Sequence, residues 1–283
     1  MTAQTQPAST DESQANPLGA LGNLDDTLVI KRGNLFAVSM RDGRIPPEGK
    51  HPLGLYYRDC RFLSAHELRV AGALPLLLVA SDALGTEAVH EMTNPDLELP
   101  DGSVLAAQSL QIRLDRRFDP PHAMRELVTV RSHHRAPVRV ALGLRLAADF
   151  EPMLAIRGIV GGSRRLSPPV RLDGECILIE AKGRDDVLRS TTIAASPAPE
   201  SAQGGVLTFE LDLPPGEART VELRYALSEA GEGAPAEPPL VASGNGVAGQ
   251  ADGREWLASH PRVSSDDQLF DRVLERSLLD LWL

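Results

Sequence analysis

The feature that most constrains the fold is an alternation of apolar and polar residues that recurs along much of the chain. Its longest run has apolar residues at every second position: Val138, Val140, Leu142, Leu144 and Leu146. A two-residue period places these side chains on one face of a β-strand, so that this face is buried and the other is exposed. The same period returns within residues 207–213 and 221–227.

Segments of this kind, separated by turn residues, predict roughly a dozen antiparallel strands. Strands are expected at residues 27–32, 34–38, 109–119, 124–132, 137–150, 175–182, 187–195, 206–213 and 219–228. Two further extended pieces are expected within 54–72, and the continuous apolar run 74–80 predicts a buried strand. Helical periodicity is almost absent from this part of the chain. The fold class expected is mainly β, a large antiparallel β-sandwich of the supersandwich type with a C-terminal amphipathic helix.

The two ends of the chain differ from this middle part. Residues 1–23 are rich in Thr, Ser, Gln and Ala and predict a disordered tail, followed by the sandwich domain at 24–229. A linker rich in Gly, Pro, Glu and Ala is predicted at 230–262. In 263–283 the apolar period changes to about 3.6 residues behind the capping run Ser264-Ser265-Asp266-Asp267, which predicts an amphipathic helix. Its apolar face needs a partner, either the sandwich itself or a further domain of a longer protein.

Composition argues against several classes of function. The net charge of −10 disfavours nucleic acid as a partner. There is no signal-like segment and no run of transmembrane length, so a cytoplasmic protein without a membrane partner is expected. The cysteines Cys60 and Cys176 are expected to be buried, reduced thiols. We find no zinc spacing, no phosphate-binding glycine loop and no nucleophile elbow, and we therefore expect no metal and no cofactor.

Two acids at the end of the longest strand are the first candidates for chemistry. Asp149 and Glu151 are two residues apart, so on an extended chain they point to the same side. A pair of carboxylates could share the acid and base steps of glycoside hydrolysis. Acids at a strand end more often form turns or ion pairs, and we favour that interpretation.

A second candidate is the run Tyr56-Tyr57-Arg58-Asp59-Cys60-Arg61. Two arginines around an acid favour a structural ion-pair cluster, although their planar donors could also bind a polar ligand. Aromatic residues make up only 4% of the chain, so a dedicated carbohydrate-binding module has weak support. A free-standing binding or protein-interaction module built around Tyr56, Arg58 and Arg61 remains the alternative.

Several motifs together resemble the N-terminal domain of bacterial glycogen-debranching enzymes, of the amylo-α-1,6-glucosidase type. They begin with Lys31-Arg32-Gly33-Asn34-Leu35-Phe36 and Asp42-Gly43, and continue through Gly54-Leu55-Tyr56-Tyr57-Arg58-Asp59-Cys60-Arg61-Phe62-Leu63-Ser64. Arg125-Glu126 before β-branched residues, and Ala148-Asp149-Phe150 with Arg157-Gly158, also match. The resemblance spans about residues 25–228.

The resemblance implies a β-sandwich that carries no catalytic residue of its own and acts beside an (α/α)₆ catalytic barrel of the same parent chain. It implies an α-glucan as the substrate of the parent, and it makes 263–283 the first helix of that barrel. By this reading Tyr56, Arg58, Asp59, Arg61, Asp149 and Arg157 are candidates for a glucan rim or for domain docking. We expect Asp149 and Arg157 to form a structural pair or to lean toward the active-site rim. Pro152 and Ala155 replace two acids of the family pattern.

Overall fold

The computed structural model describes residues 26–82, 85–119, 122–160, 168–173, 176–183, 185–229, 256–259 and 263–282. Within these ranges the chain forms eighteen strands and two helices of four residues or more. The predicted tail at 1–23 lies outside the described residues, as does most of the predicted linker at 230–262.

One layer of the fold is an eight-stranded antiparallel sheet. In spatial order its strands are β13 (Arg171–Asp173), β14 (Cys176–Lys182), β15 (Leu188–Ser196), β18 (Ala218–Glu229), β11 (Ala123–Ser132), β10 (Leu110–Asp119), β7 (Glu87–Thr93) and β6 (Leu76–Ser81). The non-sequential order places β18 between β15 and β11, so that the last strand lies in the middle of the layer.

Two four-stranded antiparallel sheets pack against this layer. The first has the order β1 (Thr27–Arg32), β2 (Leu35–Met40), β3 (Gly54–Tyr57) and β4 (Cys60–Leu63). The second has the order β16 (Ser201–Gln203), β17 (Val206–Leu213), β12 (Val138–Ala147) and β5 (Ala65–Val70). A small hairpin pairs β8 (Leu97–Glu98) with β9 (Val104–Leu105).

Contacts between the layers join both small sheets to the large one. The Thr191 hydroxyl of β15 donates a hydrogen bond to the Phe62 carbonyl of β4 at 2.9 Å. His66 of β5 contacts Glu126 of β11 at 2.8 Å. Inward side chains of all three sheets form one continuous core, and each fully buried Leu, Ile or Phe stabilises such a core by about 1.5–3 kcal/mol. The predicted mainly β sandwich is confirmed.

Strand β6 differs from its prediction. The run 74–80 was expected to be a buried strand, but β6 is an edge strand, and Leu76, Leu78 and Val79 are 49%, 64% and 57% exposed. A continuous apolar run predicts a strand, but it does not predict whether another element of the fold covers that strand. Strand β7 was not predicted at all, because His90 interrupts its short apolar alternation.

Helix α1 (Met153–Ile156) is a single turn that follows the end of β12. Helix α2 (Gln268–Trp282) confirms the predicted helical segment, and the Asp267 carboxylate caps it by accepting the Leu269 N–H at 2.8 Å. Its Arg276 guanidinium lies 3.2 Å from the Asp82 carboxylate just after β6, and Leu279 is buried. None of the helices in the described part of the chain is long and apolar enough to span a membrane.

Candidate functional site

The exposed turn between β3 and β4 carries two of the candidate residues. Arg58 has a φ of +45°, and both Arg58 and Asp59 are exposed. Arg58 pairs with Glu229 at 3.2 Å and lies over the Tyr57 ring at 5.2 Å from its centroid. The ion-pair cluster expected around Asp59 is not formed among the described residues, because Arg58 pairs with Glu229 and Arg61 pairs with Asp149. The Asp59 carbonyl instead accepts the Met153 N–H at 2.8 Å.

Arg61 anchors the loop that follows β12. Its guanidinium binds the Asp149 carboxylate through two nitrogens, with Nε 3.1 Å from Oδ1 and Nη2 paired with Oδ2. Its Nη1 donates to the carbonyls of His51 at 2.8 Å and Leu53 at 3.1 Å. A Cβ on Gly54 would lie 2.5 Å from Arg61 Cδ, so a glycine is required beside this side chain.

Asp149 does not pair with Arg157. The Asp149 carboxylate pairs with Arg61, whereas Arg157 is exposed at the end of α1 and forms no ion pair with Asp149 among the described residues. The backbone explains the separation: Phe150 has a φ of +50° and packs edge-on against Phe62 at 5.4 Å. The chain therefore turns sharply after Asp149, which carries Arg157 outward.

The two tyrosines beside these arginines are buried. The Tyr56 hydroxyl donates to the Pro52 carbonyl at 2.7 Å, and its ring stacks on Phe36 at 4.6 Å. Burial raises the pKa of Tyr56 to about 12. Tyr57 packs edge-on against Phe62 at 5.9 Å. Neither ring is presented to a sugar, so a binding module centred on Tyr56 loses its aromatic platform.

The acid pair Asp149 and Glu151 has no catalytic geometry. Both oxygens of Asp149 accept hydrogen bonds from Arg61, and the Glu151 carbonyl accepts the Arg61 N–H at 3.0 Å. A carboxylate held at both oxygens by one guanidinium acts as a positioning group. The Asp149 carboxylate and the Glu151 backbone carbonyl, both bound to Arg61, fix the strand-end loop. In the described part of the chain, no group of three His, Cys, Asp or Glu side chains is placed to hold a metal ion.

A second polar group, which the alternation of apolar residues alone did not identify, lies between the layers. We call it the interior cluster: His66, Arg116, Glu126 and Tyr225, none of them more than 3% exposed. Arg116 Nε donates to Glu126 Oε2 at 2.6 Å, and His66 Nε2 lies 2.8 Å from Glu126 Oε1. The Tyr225 hydroxyl donates to the same Oε1 at 3.3 Å. Three side chains from two layers thus converge on the Glu126 carboxylate.

The charges of the interior cluster balance. Burial by itself would raise the pKa of Glu126, but the neighbouring His66 and Arg116 outweigh it and lower that pKa to about 2. Burial lowers the pKa of His66, so the ring is neutral. Its Nδ1 then accepts from Arg116 Nη2 at 2.7 Å while its Nε2–H donates to Glu126. One cation and one anion remain, and a fully buried, neutral group of this kind has a structural role.

His90 borders the interior cluster. Its Nδ1 lies 2.7 Å from the Arg41 carbonyl, and its buried Nε2 has no hydrogen-bond partner in the described structure. Burial, followed by the charge of Arg116, lowers the pKa of His90 to about 4. Gly43 closes the group, because its carbonyl accepts from Arg116 Nη1 at 2.6 Å and its φ is +81°. A Cβ there would lie 2.8 Å from Leu114 Cδ2.

The sequence does contain a signal for the interior cluster. In β10 the inward positions read Leu110, Ile112, Leu114, Arg116 and Phe118. In β11, Glu126 likewise falls on an inward position between Met124 and Val128. A charged residue in the apolar phase of a strand indicates a buried ion pair, since an unpaired charge there would be costly.

The chain was compared with proteins of known family and structure. A family model described as the N-terminal domain of some glycogen debranching enzymes matches residues 30–224. No curated protein matches the chain.

Several solved structures are similar to the chain at very low sequence identity. They include a kojibiose phosphorylase-like protein from the human microbiome, with 11% identity and a TM-score of 0.48, where the match covers 89% of this chain and 35% of that one. An aldose 1-epimerase-like protein from Escherichia coli K12 has 7% identity and a TM-score of 0.39, covering 71% of this chain and 98% of that one. A galactose mutarotase-like protein from Clostridium acetobutylicum has 8% identity and a TM-score of 0.38, covering 71% and 95%.

The family match begins within β1 and ends within β18, so it takes in the core strands of all three sheets. It includes the turn at Arg58, the Arg61–Asp149 pair and three members of the interior cluster, His66, Arg116 and Glu126, and it ends one residue before Tyr225. Because the matched range is more than half of the chain, the protein belongs to the family of N-terminal domains of glycogen debranching enzymes.

Proposed function

We propose that this chain is the non-catalytic N-terminal β-sandwich of a glycogen-debranching, amylo-α-1,6-glucosidase-type glycoside hydrolase. In this role it braces an (α/α)₆ catalytic domain of the same parent chain and shapes the entrance for α-glucan. The free thiols of Cys60 and Cys176 suit the reducing cytoplasm, where we place the parent enzyme.

The observation that carries this proposal is the orientation of α2. The helix contacts the sandwich through Arg276, which pairs with Asp82, and its Leu279 is buried. The same helix carries a docking face of four apolar residues, Leu269, Phe270, Val273 and Leu281, which are 69%, 50%, 57% and 80% exposed. At 100° per residue these four positions fall within about a third of the helix circumference. An amphipathic helix whose apolar side faces outward needs a partner surface.

The exposed strand β6 supports the same role. Arg276 ties α2 to Asp82 directly after β6, and a cavity of about 420 Å³ between them is lined by Leu28, Val29 and Ala80 among others. The end of β6 that carries Ala80 therefore borders the same cavity as Arg276 of α2. Together β6 and the docking face offer a helical domain an apolar surface on two elements.

The candidate rim residues divide into two groups. Tyr56, Arg61 and Asp149 are buried or half-buried, and we assign them to holding the loop that contains α1. Arg58, Asp59 and Arg157 are exposed, and we assign them to the rim or to the domain contact. Titration of the isolated chain with maltooligosaccharides is expected to give no tight binding, because both tyrosine rings are buried. Tight binding that is lost in Arg58→Ala would favour a free-standing module.

The test starts from the parent gene. If the coding sequence past Leu283 does not encode a helical barrel, the proposal is wrong. In the parent protein, Phe270→Glu is expected to lower both the melting temperature and the debranching activity. The matched control is Val104→Glu on β9, an exposed apolar residue far from α2 in sequence. In the isolated chain both variants are expected to change the free energy of unfolding by less than about 0.5 kcal/mol.

A further inference from the structure

Three arginines face one another across neighbouring strands on the outer face of the eight-stranded sheet. In the strand register Arg117 of β10 lies opposite Arg125 of β11, and Arg125 lies opposite Arg224 of β18. Their chain neighbours belong to the interior cluster, so strand alternation points the arginines outward. All three are partly exposed. We call them the outer arginine row.

This arrangement is unfavourable for the sheet alone. Residues directly opposite on antiparallel strands have Cβ atoms about 4.5–5.5 Å apart, and like charges at that spacing destabilise the pairing. Threonine, or charges of alternating sign, at these three positions would give a more stable pairing of the strands. Three cations in register therefore indicate that something other than sheet stability selects them.

The nearby carboxylates neutralise the three charges of the outer arginine row to different extents. Arg125 Nε lies 2.7 Å from Glu222 Oε1 but forms no hydrogen bond with it. Arg117 lies opposite Glu87 in the register and 3.8 Å from Asp119. Arg224 forms no ion pair with any described residue, and its buried Nε has no hydrogen-bond partner. Arg125 and Arg224 therefore each retain an Nε–H donor that no described group satisfies.

A pocket of about 220 Å³ opens at the row. Arg117 and Arg125 of the row line it, and Arg224 lies beside the pocket, opposite Arg125 in the register. The other lining residues are Arg116, the acids Glu87 and Asp115, and the apolar Ala88, Val89 and Leu127. The Asp115 carboxylate is already paired with Arg113 at 2.7 Å. Pockets for drug-sized ligands measure about 300–1,000 Å³, so this one suits a smaller group.

We propose that the outer arginine row binds a phosphoryl oxyanion, either inorganic phosphate or the phosphate group of a sugar phosphate. Guanidinium groups donate paired N–H bonds that match the spacing of phosphate oxygens. An anion bound between opposed arginines is attracted to each guanidinium group, and this attraction offsets the repulsion between them. Because carboxylates surround the row, recognition depends on these short hydrogen bonds and not on a long-range positive field. The site is independent of the proposed role of α2.

The test measures thermal unfolding of the 283-residue chain in potassium phosphate and in potassium chloride at equal ionic strength. Phosphate is expected to raise the melting temperature saturably, and chloride is not. Arg224→Gln is expected to need on the order of tenfold more phosphate for the same shift, the loss of a charge-assisted hydrogen bond. The matched control is Arg219→Gln, which removes the same charge from the same strand but pairs with Glu217 at 3.4 Å. It is expected to respond like the wild type.

A second titration identifies the source of the phosphate group. Glucose 6-phosphate acting at a lower concentration than inorganic phosphate, with glucose inactive, supports a sugar phosphate. Equal midpoints support the phosphate group alone. Two results overturn the proposal: equal effects of phosphate and chloride, or an equal loss in Arg219→Gln and Arg224→Gln. The free Arg224→Gln protein is expected to fold, so a weaker response cannot be ascribed to unfolding.

Discussion

The interior cluster and the outer arginine row occupy the same three strands on opposite faces. Their members are chain neighbours: Arg116 beside Arg117, Glu126 beside Arg125, and Tyr225 beside Arg224. Inside, one cation pairs with one anion, and the two carboxylate oxygens of Glu126 accept hydrogen bonds from three side chains. Outside, three cations face one another and one has no counter-ion among the described residues. The buried face must satisfy its charges because water is excluded, whereas the outer face can keep an imbalance that a ligand would relieve.

The largest expected effect comes from breaking the interior cluster. Glu126→Gln preserves the shape of the side chain but leaves the Arg116 charge buried without its anion. Removing one partner of a buried ion pair costs about 3–5 kcal/mol, and we expect that loss in the free energy of unfolding measured by urea titration.

The outer neighbour on the same strand provides the control. Arg125→Gln removes a partly exposed charge paired with Glu222 and is expected to change stability by less than about 1 kcal/mol. Equal losses in the two variants would contradict the distinction between the faces.

The second expected effect is a dependence of stability on pH that arises from the buried histidines. His90 and His66 are buried and neutral, with pKa values lowered chiefly by burial, to about 4 for His90. The pKa of an unfolded histidine is about 6.5, so below that pH the unfolded chain binds protons that the folded chain does not. Stability is therefore complete above about pH 6.5 and declines as the pH falls toward 4. His90 alone accounts for about 3 kcal/mol of this loss.

Variants at two histidines test this dependence. His90→Asn keeps a donor for the Arg41 carbonyl but cannot titrate, even though Arg116, Asp42 and Glu126 still surround the position. Its melting temperature is expected to decline less between pH 6.5 and 4. His133→Asn, on an exposed residue, is expected to follow the wild-type curve, and a flattened curve for this variant would count against the buried origin of the effect.

Alternation in the sequence predicted the strands that have one buried face. Strands β1, β10, β11, β12, β17 and β18 all lie within two or three residues of their predicted bounds. It failed for β6, because a purely apolar run fits an exposed edge strand as well as a buried one. It also missed β7, whose inward positions are Ala88, His90 and Met92. A small residue and a histidine give too weak an apolar period to recognise a strand.

Contacts across the fold could not be predicted from the same pattern. Arg61 and Asp149 are separated by 88 positions and meet because β4 and the end of β12 adjoin. The expected partner Arg157 is close to Asp149 in sequence, but the positive φ of Phe150 turns it away. The interior cluster was predictable in part, since Arg116 and Glu126 stand in the apolar phase of their strands. Their mutual register, with the contact to His66, depends on the sheet order.

The smallest expected effect has the opposite sign to the first two. Arg224→Gln removes one of three opposed cations without breaking an ion pair, so in phosphate-free buffer at low salt it is expected to stabilise the chain by about 0.2–1 kcal/mol. The gain should shrink as potassium chloride approaches 1 M, where the screening length falls to about 3 Å. Urea titrations at both salt concentrations measure it. A loss of stability at low salt would mean that Arg224 holds the sheet by a contact of its own, and the outer face would then resemble the interior cluster.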